Sequence, residues 1–214
     1  SYTVADSRVN INENVNIDAT LAYASDSSPV TTGTVTINGF SAAHQGSGVY
    51  RITRTSASVA SVTYDTVAGS ETSYGLDTVD QNSQSANVVW DRIRVLTLGL
   101  TDSRINADGA SNSTLYATAD LESDAHALAE DDSLTISDIP LSWNSSTARF
   151  EGTTSTSLSV TSTTYDTFTS GSETTYGITA GNMNGKSVSL IFDKIRWDTG
   201  SANVTSLAAN SPAE

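Results

Sequence analysis

Val89-Trp90-Asp91-Arg92-Ile93-Arg94 returns 102 residues later as Ile191-Phe192-Asp193-Lys194-Ile195-Arg196, and that recurrence makes the chain a tandem repeat. Moving towards the N-terminus, Gly69-Ser70-Glu71-Thr72-Ser73-Tyr74-Gly75 returns as Gly171-Ser172-Glu173-Thr174-Thr175-Tyr176-Gly177. Thr63-Tyr64-Asp65-Thr66 returns as Thr164-Tyr165-Asp166-Thr167, and Asp6-Ser7-Arg8-Val9-Asn10 as Asp102-Ser103-Arg104-Ile105-Asn106. A looser echo links Thr34-Val35-Thr36-Ile37-Asn38 to Ser133-Leu134-Thr135-Ile136-Ser137. The offset grows from 96 to 102 along the chain, the drift expected where loops absorb small insertions.

Within each unit the apolar residues alternate over short runs, as in Val15-Asn16-Ile17-Asp18-Ala19 and Val49-Tyr50-Arg51-Ile52, which is the pattern of half-buried strands. Ser and Thr fill 65 of 214 positions, and this favours turns and pleated surfaces over helices. Asn38-Gly39 predicts a hairpin, with Asp138-Ile139-Pro140 at the corresponding place in the second unit. Only Asp124 to Glu130 could form a helical turn. The fold class is therefore all-β: two tandem immunoglobulin-like antiparallel β-sandwiches over residues 1–95 and 96–197, followed by a tail over 198–214.

A formal charge of −14 with only two lysines, Lys186 and Lys194, removes the electrostatic term that nucleic-acid binding needs and disfavours anionic lipid surfaces. No apolar run approaches the ~18 residues of a spanning helix, so membrane insertion is not expected. The opening Ser-Tyr-Thr carries neither Met nor a basic, apolar leader, as in a segment processed or cut from something longer. The absence of Cys leaves the compartment open.

The Asp-Ser-Arg-Val-Asn opening at Asp6, the Thr-Val-Thr-Ile-Asn-Gly hairpin at Thr34 and the Trp-Asp-Arg-Ile ending at Trp90 resemble tandem immunoglobulin-like repeats of prokaryotic, often archaeal, cell-surface proteins. The resemblance covers residues 1–197; Phe192 and Lys194 depart from it where the first unit has Trp90 and Arg92. Similar small β-sandwich subunits build archaeal extracellular threads and pili, in which a terminal strand of one subunit completes the sheet of the next. The resemblance implies an extracellular or cell-surface location and copies of the same chain as partners.

Enzyme chemistry finds little support in the residues. The only imidazoles, His44 and His126, lie in unrelated contexts, and the Gly-Ser-Glu-Thr-x-Tyr-Gly motif lacks the Lys-Ser/Thr of a phosphate loop. That motif instead predicts a turn with Tyr74 or Tyr176 tucked against the sandwich end. On a continuous strand Trp90, Arg92 and Arg94 would share one face, with Asp91, Ile93 and Val95 on the other. Asp120, Glu122, Asp124, Glu130, Asp131 and Asp132 crowd into 13 residues; calcium would relieve their repulsion, and the alternative is a solvated strand face. No other cofactor is expected. Asn112, Asn144 and Asn203 head N-x-Ser/Thr sequons that would accept glycans in an exported chain.

A repeat duplicates scaffold rather than a reaction centre, so the expected function is structural and non-enzymatic. The protein reads as a filament subunit or a stalk segment, with adhesin or glycan-binding module as the alternative; Trp143 is its one loop aromatic. The tail would add as a strand to an open sheet edge of the next copy, with Ala202, Val204 and Leu207 setting register, or else fold back on its own unit.

Overall fold

The computed structural model describes residues 1–196. The first unit contains β1 (Tyr2–Val4), β2 (Arg8–Asn10), β3 (Val15–Thr20), β4 (Thr34–Ile37), β5 (Phe40–Gly46), β6 (Val49–Arg54), β7 (Ala60–Tyr64), β8 (Val67–Ser70) and β9 (Ala86–Asp91). The second continues with β10 (Ile93–Leu100), β11 (Arg104–Asn106), β12 (Thr114–Leu121), β13 (Ser133–Ile136), β14 (Ile139–Asn144), β15 (Arg149–Thr153), β16 (Thr161–Tyr165), β17 (Phe168–Ser172), β18 (Gly181–Asn182) and β19 (Val188–Asp193). The chain is all-β, with no helix among the described residues.

Each unit pairs a large sheet with a small one. In the first, the order β1-β3-β6-β5-β4-β8 faces β2-β9-β7; in the second, β17-β13-β14-β15-β12-β10-β18 faces β11-β19-β16. Alternation in β3 turns Val15, Ile17 and Ala19 inward while Asn16 and Asp18 face out. One core gathers residues from Val9 to Trp90, and a separate one gathers residues from Ile93 to Phe192. Trp90 and Phe192 hold the same place: Trp90 pairs with Val9 and Ala60, Phe192 with Ile105 and Thr161, and both are buried.

The sheets are mainly antiparallel, but three short pairings run parallel: β2 with β9, β11 with β19, and β10 with β18. The first of these follows from the opening segment changing sheets. β1 lies antiparallel on β3, and the chain then crosses over so that β2 runs beside the last strand in the same direction. The second unit repeats this crossover with β10, β12 and β11.

The hairpins follow from turn chemistry. Asn38 and Gly39 sit at φ 46° and 78°, and Ser137 and Asp138 at 47° and 65°, the left-handed pair that a two-residue hairpin requires. Asn38 Oδ1 accepts the N–H groups of Asp65 and Thr66, and Ser137 Oγ accepts those of Asp166 and Thr167. The repeated Thr-Tyr-Asp-Thr motif is thus a corner stapled to the hairpin, with Tyr64 and Tyr165 buried beside it. Asp124 to Glu130 forms no helical turn; a bridge between Asp120 and Ala127 closes a tight loop with Ala125 at φ 59°.

Trp90 also donates its indole N–H to the Glu13 carbonyl at 2.9 Å. Trp90→Ala should lower stability by about 3–5 kcal/mol, whereas Trp90→Phe, which copies the second unit, should cost distinctly less. Urea denaturation of the two variants measures the difference.

Candidate assembly interface

Only Arg92 separates the last strand of the first unit from β10 of the second. The chain kinks there, and the alternation expected of a continuous strand fails: Trp90, Asp91 and Ile93 are all buried. Trp90 enters the first core and Ile93 the second, while Arg92 and Arg94 pair with carboxylates. A buried carboxylate is costly unless fully bonded. Asp91 accepts Arg8 Nη1 at 3.2 Å, Ser123 Oγ at 2.5 Å, and the N–H groups of Ser123 and Arg92 at 3.1 and 2.9 Å.

Arg8 joins the units a second time, donating to Asp124 at 2.6 Å and lying 4.2 Å from the Tyr176 ring centroid. Asn10 Oδ1 accepts the N–H groups of Thr179 and Ala180, both at 2.7 Å. Arg92 forks onto Glu122 and Arg94 onto Asp120, each through two nitrogens. These hydrogen bonds hold Glu122 and Asp124 below the usual carboxylate range.

The acids singled out in the sequence therefore divide. Asp120, Glu122 and Asp124 meet arginines at the junction, which relieves the crowding that suggested calcium. Asp132 accepts the N–H groups of Ala129 and Thr174, and Glu130 and Asp131 are exposed. Among the described residues no three His, Asp or Glu side chains converge on a metal-sized site. Asn112 is exposed, whereas the Asn144 amide donates to Glu151 at 2.8 Å. Asn203, Ala202, Val204 and Leu207 lie outside the described residues. Trp143 is not in a loop: it stands on β14, edge-on to Phe150 at 5.2 Å. Tyr74 and Tyr176 are exposed rather than tucked, because the repeated glutamate takes the interior of that turn.

The buried end of β10 explains a difference between the units. Ile93 pairs with Leu121 on one side and Gly181 on the other, and Val95 pairs with Ala119. A Cβ on Gly171 would stand 3.0 Å from the Ile93 side chain, so the glycine makes room for it. In the first unit β1 covers β3 only as far as Thr20, where the Thr20 N–H donates to Ser1 O. Beyond it lies an open groove of about 770 Å³, lined among others by Leu21, Tyr23, Val35, Gly69, Leu76 and Val79. Leu76 and Ile178 both close the equivalent turn bridge, yet Leu76 is 50% exposed and Ile178 0%. Ile195, the counterpart of Ile93, is fully exposed.

No family profile matches the chain, and no curated relative does. Among solved structures it is similar to the D0-D1 domain of intimin, at 13% identity over 90% of this chain and 98% of that one, TM-score 0.30. It is also similar to the Yersinia pseudotuberculosis adhesin InvE, at 14% over 90% and 59%, TM-score 0.32. A third likeness is to fibronectin(III)-like modules of Clostridium thermocellum CbhA, at 13% over 94% and 99%, TM-score 0.32. At such scores these likenesses carry no weight, and the fold rests on the strand pairing above.

The residues that sequence reasoning passed over are Glu71 and Glu173. Each is buried and accepts two backbone N–H groups of its own turn, Ser73 and Tyr74 or Thr175 and Tyr176. Their repetition was the signal, obscured by the tyrosine beside them. Burial acts to raise the Glu71 pKa, but hydrogen bonds from Thr32, Tyr74 and Ser73 outweigh it and hold the carboxyl at about 2, against an ordinary 4.5.

A carboxyl depressed on folding stabilises the fold above its unfolded pKa and loses that contribution as pH falls through its folded one. The melting temperature of the wild type should therefore drop between about pH 4.5 and 2, and Glu71→Gln should flatten part of that drop. At the junction, Asp91→Ala should cost about 1–3 kcal/mol, because it leaves the Arg92 and Ser123 donors without their acceptor while Arg8 keeps Asp124. Small-angle scattering should report a wider spread of angles between the units.

Proposed function

We propose that the protein is a non-enzymatic structural module of an extracellular stalk or filament, in which sandwiches are joined end to end by strand addition between copies. The observation that carries this is a strand that leaves one sandwich and fills the next. The second sandwich is filled by Ile93 and Val95, delivered from the end of the first. The matching groove of the first sandwich is lined by Leu21, Val35, Leu76 and Val79, and the second exposes Ile195 in the repeated Asp-Lys-Ile-Arg ending. In sequence, Trp197 follows at the position of Val95.

Residues Ile195 and Trp197 of one copy would fill the groove of the next, and Ala202, Val204 and Leu207 would continue the strand beyond it. Main-chain bonds to the free edge after Thr20 supply affinity, and the apolar groove selects alternate side chains. Because donor and acceptor lie on different surfaces, the contact is heterologous and repeats into an open fibre. The −14 charge of the chain keeps unjoined copies apart. For the adhesin alternative Trp143 lies on a strand, and the exposed turn aromatic is Tyr74 instead.

Electron microscopy and sedimentation of the full chain test this. Wild type should form fibres, and Ile195→Asp should give folded monomers with an unchanged melting temperature, since the side chain is exposed. A peptide spanning residues 194–207 should raise the melting temperature of those monomers. Fibres from Ile195→Asp that match wild type would defeat strand addition, and a wild type that stays monomeric would defeat assembly between copies.

A further inference from the structure

The junction inside the chain has a second layer besides the buried strand, the polar clamp of Arg8, Asn10 and Asp91. Each of these residues has a counterpart at the far end of the second sandwich. Arg104 stands for Arg8, Asn106 for Asn10 and Asp193 for Asp91, in the same parallel strand pair. Arg104 bonds Asp193 as Arg8 bonds Asp91. Arg8 and Asp91 are covered by the second sandwich, whereas Arg104 is exposed and Asp193 half-buried. With Lys194 and Asn112 they line a depression of about 700 Å³.

The surface that such an end would meet is also present in the chain. The bridge Ala22↔Pro29 matches Asp120↔Ala127, which sets Ser25 in the place of Ser123 and Asp26 in that of Asp124. The local geometry agrees: Asp26 accepts the Ser28 N–H at 2.9 Å just as Asp124 accepts that of His126 at 3.1 Å. The bridge Glu71↔Leu76 matches Glu173↔Ile178, which sets Tyr74 in the place of Tyr176. Both tyrosines stand edge-on to a ring from the other loop, Tyr23 at 5.5 Å and His126 at 5.9 Å. Ser25, Asp26 and Tyr74 are all exposed at the corresponding end of the first sandwich.

We infer that the exposed end of the second sandwich docks onto the free end of the first sandwich of another copy through a polar clamp. Arg104 bridges Asp193 to Asp26 and lies on Tyr74, Asp193 accepts from Ser25, and Asn106 accepts backbone N–H groups at Asp77 and Thr78. This rests on the end-to-end reading above and adds to it a second contact with its own chemistry. The occupant is a second copy because one end offers Arg104 and Lys194 and the other offers Asp26 and Asp77, so the charges complement one another. Ala22 and Ala24 replace Asp120 and Glu122, so the joint between copies lacks the two forked arginine pairs of the internal one and depends on salt through Arg104.

A charge exchange tests this on the full chain. Arg104→Asp alone and Asp26→Arg alone should each raise the critical concentration for polymerisation by about tenfold or more, since one lost ion pair replaced by repulsion is worth at least ~1.4 kcal/mol. An equimolar mixture of the two should return towards the wild-type value. Where the far end of the first variant meets the free end of the second, both charges are exchanged and attract again, and the alternate joint is native. Asp26 is exposed, so Asp26→Arg serves even if Arg104→Asp loosens its own strand pair; unchanged melting temperatures show both folded. Single variants that polymerise like wild type, or a mixture no better than its parts, would overturn the clamp while Ile195→Asp still reports on strand addition. A wild type that never polymerises overturns the end-to-end reading and the clamp together.

Discussion

Ile93 lies two residues beyond the last strand of one sandwich and is the first residue buried in the next. A sheet that lacks one of its strands exposes apolar side chains and unpaired main-chain groups, and here that strand, β10, starts one residue after the unit before it ends. The other features of the junction follow from this short connection. With one residue between β9 and β10 the units have no slack, so their facing loops meet and must be polar yet satisfied. Asp91 becomes the buried centre because it sits beside the kink.

That geometry also decides where the few cations go. Of ten Lys and Arg in a chain with 24 acids, Arg8, Arg92 and Arg94 stand at the junction, each on at least one carboxylate. Arg51 on Asp18 and Arg149 on Glu151 are cross-strand or same-strand surface pairs, worth little individually. Asp91 differs because it is wholly removed from water and held by the N–H groups of Arg92 and Ser123 as well as by Arg8. In an acidic chain such positive charge is scarce, so its clustering marks the place where two negatively charged bodies are held together.

The repeat, the strands and the Asn38-Gly39 hairpin were legible in the sequence because they depend on neighbours along the chain. The equivalence of Trp90 and Phe192 was legible for the same reason. What failed was the assumption that Trp90 to Val95 forms one strand: period two holds only while the backbone stays in one sheet, and here the chain leaves one body for another at Arg92. The acidic cluster was visible but its arginine partners were not, since they come from other strands, Arg8 from 116 residues away. Asp26 and Asp124 share one structural place, but their flanking residues, Ser-Asp-Ser-Ser and Ser-Asp-Ala-His, share too little to align by eye. The different exposure of Leu76 and Ile178 was not legible either, since both are ordinary apolar residues that close the same turn.

The equivalent turns of the two sandwiches differ in charge while keeping one geometry. In the second sandwich Arg94 meets Asp120 across β10 and β12, and Arg92, the one residue between the units, reaches Glu122, so both acids stand opposite a cation. In the first sandwich Ala22 and Ala24 take the places of Asp120 and Glu122, beside Asp26. Like charges side by side repel, so a turn without those arginines is better served by alanine than by acids. The geometry of the turn survives the exchange, since the bridge to Pro29 and the Asp26 hydrogen bonds to Ser28 do not use those side chains. One turn framework thus carries two different electrostatic surfaces, set by which side chains face it.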